Sequence, residues 1–208
     1  INLLEIALTK RTKAIVCVHF AGFPCDMNEI MKFAKKNSLF VIEDCAQAHG
    51  ATINNKSVGS FGDINAWSFC NDKIMTTGGE GGMITTNNKK LYESAAAFNN
   101  HGKNLKKYNS LSNMSIKSFP YIHDNLGLNY RLTEMQSALG NYQLKKINQW
   151  NNLRNRNANY IIEKVKDLKI VITPKIGKKF THAFYKLYLT INKEFLKRGK
   201  SRSQIIKS

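Results

Sequence analysis

The first half of the chain alternates short apolar runs with amphipathic ones, and this alternation narrows the possible folds more than any other feature. Residues 14–20 read AIVCVHF, β-branched and aromatic enough for a buried strand, and Pro24 closes the run. Asp26 then stands where a helix cap belongs, with Glu29 three residues on to complete a capping box. Met27, Ile30, Met31 and Ala34 follow at helical spacing and give that helix one apolar face. Residues 39–42 form the next strand, which delivers Glu43 and Asp44 at its carboxyl end. Residues 64–69 and 83–86 read as two further strands, separated by a loop over 70–82 that closes in GGEGG; 88–98 read as a helix. Strand, helix and strand in this order predict an α/β chain with a mostly parallel sheet flanked by helices.

The second half is less regular. Residues 99–128 show weak periodicity and read as an irregular excursion. Thr133 with Gln136 makes a second capping box. It opens a long helix with Met135, Ala138, Leu139, Tyr142, Ile147 and Trp150 as its buried stripe, continuing or breaking before Asp167. Residues 170–173 and 183–191 read as strands of a smaller domain. The expected division is therefore residues 1–132 as part of a large domain, and 133–208 as a connecting helix with the start of a small α+β C-terminal domain. The 208 residues suffice for one core, or for one domain with part of another. A first residue other than Met and a polar last stretch predict a chain cut at both ends. Residues 1–10 lack the basic-then-apolar layout of a signal peptide, and no apolar run approaches the length of a membrane span, so a cytoplasmic protein without membrane contact is expected.

The net charge of +18 is uneven. Residues 141–208 carry 17 basic against 3 acidic residues, whereas 1–140 carry 15 against 11. Such a skew can mark nucleic-acid binding, but here the basic residues interleave with Asn and Ile and no nucleic-acid motif accompanies them. The bias is read as compositional, with no nucleic-acid partner expected; a basic nucleic-acid or regulatory module is the alternative from a different class. Four cysteines at positions 17, 25, 45 and 70 form no CxxC pair, so reduced thiols are expected, and no metal site.

In open α/β sheets ligands bind beyond the carboxyl ends of the strands. Asp44, Ser68 and Lys73 converge there. An enzyme using pyridoxal 5′-phosphate (PLP) needs a lysine to form an imine, an acid to keep the pyridine nitrogen protonated, and donors for the phosphate. The trio satisfies that order. Taken alone it equally describes a surface lysine and a turn aspartate. Glycines 78, 79, 81 and 82 match neither GxGxxG nor GxxxxGK[ST], which removes dinucleotide and P-loop readings.

Specificity comes from four strings in order: EDCAQAHGA (43–51), VGSFGDINAWSF (58–69), DKIMTTGGEGGMITT (72–86) and NYRLTEMQSALG (129–140). Together they resemble the DegT/DnrJ/EryC1/StrS family of sugar aminotransferases, which have the PLP type I aminotransferase fold. TKAIVCVHFAGFPCDM (12–27) resembles the preceding strand and helix. The resemblance runs from Thr12 to Tyr160 and thinly to Ile191.

The resemblance implies a role for each matching residue. Lys73 is the Schiff-base lysine and afterwards the proton shuttle, its amine freed by desolvation and a nearby cation. Asp44 pairs with the pyridinium nitrogen, Gln47 lies near the cofactor ring, and Ser68 holds the phosphate. Asn129 reaches the phosphate of the partner subunit's cofactor, so that a homodimer shares its sites. Arg131 supports this segment or faces substrate phosphates. The implied reaction moves an amino group from L-glutamate, the usual donor in this family, to a keto group of a nucleotide-diphosphate sugar in surface-polysaccharide or O-antigen biosynthesis. CNDKIMTTGGEGG and IHDNLGLNY resemble members acting on lipopolysaccharide or perosamine-type sugars. Family dehydratases carry histidine at the lysine position, so Lys73 argues for amination over the same-family alternative. The family's phosphate loop and stacking aromatic lie upstream of residue 1, so these 208 residues alone are expected to bind PLP poorly and to be inactive.

Overall fold

The computed structural model describes residues 2–111, 122–196, 201 and 203–204. A short helix, α1 (Asn2–Ala7), precedes strand β1 (Ala14–Val18). A left-handed turn at Phe20–Gly22 follows, with Ala21 at φ 58° and Gly22 at φ 91°. Helix α2 (Met27–Lys36) returns to β2 (Phe40–Asp44). The two-residue strands β3 (Thr52–Ile53) and β4 (Lys56–Ser57) form a hairpin before β5 (Ile64–Ser68) and β6 (Gly82–Thr85). Helices α3 (Lys89–Asn99), α4 (Leu105–Leu111), α5 (Glu134–Leu144) and α6 (Ile147–Val165) come next. Three short strands follow, β7 (Val171–Ile172), β8 (Phe180–Thr181) and β9 (Thr190–Ile191), and a 3-10 turn over Lys193–Phe195 comes after them.

The principal sheet has the order β1-β2-β5-β6, with β1, β2 and β5 parallel and β6 antiparallel to β5. Side chains alternate across it. Cys17 and Val41 pack with Met27 and Ala34 beneath α2, while Val16, Val18 and Phe40 lie on the opposite, exposed face. A second cluster joins Cys45, Ala48, Ala51, Val58, Ile74 and Ala183, with Ile147 of α6 against it. Strand β8 pairs antiparallel with β3, Ile53 opposite Phe180, so a strand late in the chain completes a sheet begun near its start. Among the described residues no helix is long and apolar enough to cross a membrane.

Four expectations change. The capping box at Asp26 does not form: Asp26 Oδ2 takes the Lys179 ammonium at 2.6 Å and Glu29 pairs with Lys32 at 2.8 Å, so a long-range charge outcompetes the local cap. The excursion over 99–128 contains a helix, α4, because Asn104 Oδ1 accepts from the amides of Lys106 and Lys107 and starts it. Residues 112–121 of that stretch lie outside the described residues. The second capping box does form at Thr133 and Gln136, but Met135 and Tyr142 are exposed. Helix α5 turns Gln136, Gly140 and Gln143 toward the 76–80 loop, so its part of the apolar stripe is exposed, while Ile147 packs against the second cluster and Trp150 is half-buried. Finally, only Thr190–Ile191 of 183–191 is strand. Residues 182–184 tuck inward, with Phe184 at φ 44° and its amide donating to His182 Nδ1 at 2.8 Å.

Candidate active site

The carboxyl ends of β1, β2 and β5 open on one edge. His19 N donates to Asp44 O at 3.1 Å, and Cys45 N to Ala66 O at 2.8 Å, so the first turn beyond each strand is stitched to its neighbour. Adjacent acids at the end of β2 point to opposite faces and meet opposite fates. Glu43 is fully buried; its Oε2 accepts from His19 Nε2 at 3.0 Å and Gly59 N at 2.8 Å, and its Oε1 from Phe61 N at 2.7 Å and Gly62 N at 2.6 Å. Burial alone would raise its pKa, but the His19 bond and the three amides outweigh that and hold the carboxyl below its ordinary value. His19 Nδ1 accepts from Cys25 N at 3.0 Å, which leaves Nε2 as the protonated nitrogen. Cys45 lies beside this pair, yet burial pushes its thiol strongly up, and the His19 and Glu43 ligand atoms are already committed. His19 and Glu43 form a hydrogen-bonded clamp with Cys45 packed beside it.

Asp44 is half-buried on the other face. Its Oδ1 accepts from Ala46 N at 3.0 Å, while Oδ2 has no partner among the described residues. Gln47 is oriented by the left-handed turn, its Oε1 accepting from Ala21 N at 2.7 Å. That leaves its NH2 group uncommitted among the described residues. Ser68 closes β5 and accepts from Cys70 N at 3.4 Å. His49 is buried between Trp67 and Phe69, at ring distances of 5.3 and 5.8 Å, and burial pushes its pKa down to about 4, so it is neutral.

Lys73 sits on the loop between β5 and β6. That loop hangs on α5 through neutral amides: Gln143 Oε1 accepts from Thr76 N at 2.8 Å, and Gln136 Nε2 donates to Glu80 O at 2.9 Å. The Lys73 side chain is 15% exposed, with Nζ 3.5 Å from Asp72 Oδ1 and 5.1 Å from the Tyr185 ring centroid. Asp72 in turn accepts from Cys70 Sγ at 2.8 Å on Oδ1 and from the Tyr185 hydroxyl on Oδ2. The sequence predicts a lowered lysine pKa. Desolvation does pull it down, but Tyr185, Cys70 and Asp72 outweigh this and hold the ammonium form above its ordinary value. Among the described residues the nearest charged neighbour of the amine is the acid Asp72 rather than the expected cation.

Asn129 and Arg131 lie apart from this group. Asn129 bridges to Asn100 through its backbone, and its Oδ1 accepts from Arg131 Nε at 3.0 Å. Both are exposed, and among the described residues neither touches Asp44 or Lys73. Sequence reasoning missed Asp72, Cys70 and Tyr185 as neighbours of the lysine. The first two were in plain view beside it, but Tyr185 stands 113 residues from Asp72 and no local pattern links them.

An open, mostly parallel sheet with an aspartate and a shielded lysine at its carboxyl edge is the large-domain arrangement of the type I aminotransferase fold. An aminotransferase from Psychrobacter cryohalolentis is similar in structure, with a TM-score of 0.92 at 44% identity over 99% of this chain and 54% of that one. Escherichia coli GDP-4-keto-6-deoxy-D-mannose-3-dehydratase with bound hydrated PLP is also similar, with a TM-score of 0.83 at 27% identity over 99% of this chain and 53% of that one. The chain belongs to the DegT/DnrJ/EryC1/StrS aminotransferase family, whose model matches residues 1–208. The GDP-perosamine synthase of Escherichia coli O157:H7 is 44% identical over 143 residues, covering 69% of this chain and 36% of that one. The chain spans about half or less of the length of the curated relatives it matches.

Proposed function

We infer that the complete protein transfers an amino group to a keto group of a nucleotide-diphosphate sugar, using PLP, with L-glutamate as donor. The observation that carries this reading is a shielded Lys73 on the same sheet edge as Asp44, whose second carboxylate oxygen is uncommitted among the described residues. The residues fit the cofactor: an anionic oxygen for a ring N–H, an oriented amide at Gln47, a hydroxyl at Ser68, and an amine within a partly desolvated loop. When bound, PLP supplies the electron sink that lets an amino group pass between two carbon skeletons. Asp44 holds a proton on the ring nitrogen. Gln47 orients the ring, and Ser68 binds the phosphate. Lys73 Nζ anchors the group and then moves a proton at the donor's α-carbon, a task that needs the neutral amine.

The finer reading is part of the same proposal. Asn129, with Arg131 beside it, serves a partner subunit in a homodimer, which accounts for their position away from Lys73. Residues 1–132 belong to a large cofactor-binding domain, and 133–208 begin the connection to a small one. The protein works in the cytoplasm on surface-polysaccharide or O-antigen precursors.

The test is chemical. Borohydride reduction of the PLP-loaded complete protein, followed by peptide mapping, will place a pyridoxyl group on Lys73, and glutamate will bleach the unreduced visible band. Lys73→Ala will abolish both. A colourless protein with Lys73 unmodified would overturn the reading, and loss of water from a keto-sugar without amine incorporation would assign the dehydratase reaction instead.

A further inference from the structure

The Asp72 carboxylate is braced from two sides, and its braces come from different parts of the chain. Cys70 donates to Oδ1 at 2.8 Å from within the lysine loop, and Tyr185 donates to Oδ2 from the segment that tucks under Gly22. Lys73 Nζ approaches the same Oδ1 at 3.5 Å. A single exposed ion pair contributes little, because solvent screens it and two side chains must be immobilised. Asp72 is 61% exposed, so an unbraced carboxylate there would hold the lysine weakly. Two donors remove most of its freedom and keep it anionic; the Cys70 thiol first, then the Tyr185 hydroxyl, hold it well below the usual carboxylate range.

We propose that Asp72, braced by Cys70 and Tyr185, is a positioning residue that parks the Lys73 ammonium at the mouth of the site and must release it before the amine reacts. The inference rests on the reading of Lys73 as the cofactor-bearing lysine. The groups facing Lys73 all bear on the balance. Asp72 and Cys70 lie on its own loop. Tyr185 comes from the 182–186 segment, with Lys186 Nζ 5.2 Å from the same ring, and neutral His49 follows β2. Asp72 is the one acid in this set. Removing its charge therefore leaves desolvation of the amine less opposed and frees it.

The experiment uses the complete protein without cofactor, so its outcome is separable from the pyridoxyl mapping above. An amine-acylating reagent is applied across a pH series, and peptide mass spectrometry follows Lys73, with Lys32, paired to Glu29, as internal reference. In Asp72→Asn, half-labelling of Lys73 moves to lower pH and labelling at a fixed, mildly alkaline pH rises several-fold. Tyr185→Phe shifts Lys73 in the same direction by less, and Lys32 stays where it was in both. An unchanged Lys73 profile in Asp72→Asn overturns the proposal, as does a shift shared equally by Lys32, which would signal general loosening. Should Asp72→Asn fail to fold by circular dichroism, Tyr185→Phe decides the question on the same criterion.

Discussion

Neighbouring residues with the same chemistry can be assigned opposite duties by nothing more than strand alternation. Glu43 and Asp44 illustrate this: one is saturated by four donors in the core, the other keeps an oxygen without a partner among the described residues at the edge. Buried histidines follow a similar logic. His49 and His182 are both pushed down to about 4 by burial, and His182 additionally accepts from Phe184 N, a bond that protonation would cancel. Each takes up its proton only on unfolding once the pH is below its ordinary value of 6.5. Stability is therefore expected to fall as the pH drops from 6.5 toward about 4 and to level off below, by about 1–3 kcal/mol per histidine. Denaturant melts at a series of pH values will show this slope, and His49→Gln will reduce it. At this scale the sequence revealed positions better than partners. Strand spacing is enough to put Asp44, Ser68 and Lys73 on one edge, but the company Lys73 keeps depends on a tyrosine delivered by tertiary folding.

Among the elements, those set by local rules were legible and those set by distant contacts were not. Thr133 and Gln136 cap α5 as their spacing predicts, whereas Asp26 abandons its cap for Lys179, which no local pattern announces. Residues 183–189 have strand composition, yet Asn155 Nδ2 donates to His182 O at 2.9 Å and Arg154 to Phe184 O at 3.3 Å, so α6 captures the backbone that a sheet would need. The Phe20–Gly22 turn is the junction of these pieces. Gly22 O accepts from Ala183 N at 2.9 Å, and a Cβ at Gly22 would come within 2.9 Å of Gln47 O and 3.1 Å of Tyr185 N. Both contacts are backbone and cannot swing away, and φ at 91° already strains any other residue. Gly22→Ala is expected to destabilise the protein by roughly 1–3 kcal/mol, read by thermal or denaturant unfolding.

At the scale of the whole molecule, the described residues cover the principal sheet on one face only. Parallel sheets are ordinarily buried on both faces. Here Val16 is 62% exposed, Phe40 60% and Ile84 53%, in a chain that spans about half of its curated relatives. The isolated 208-residue chain is expected to bind an apolar dye such as ANS and to self-associate with concentration. Light scattering will check this, and Val16→Thr with Phe40→Thr will reduce both signals. The fold class was legible from the alternation of strands and helices, because that pattern is local and repeated. The bare face was not, since alternation reports which residues turn outward but not what covers them.

The suspension of the lysine loop from α5 separates two kinds of force within a few residues. Its hooks, Gln136 and Gln143, are uncharged amides, so neither added electrolyte nor acid changes what they hold. The contact between Asp72 and Lys73 is ionic and open to solvent on its Asp72 side, and counterions weaken it. Ionic strength thus acts as a selective dial on this site: it loosens the grip on the amine while leaving the platform beneath it in place.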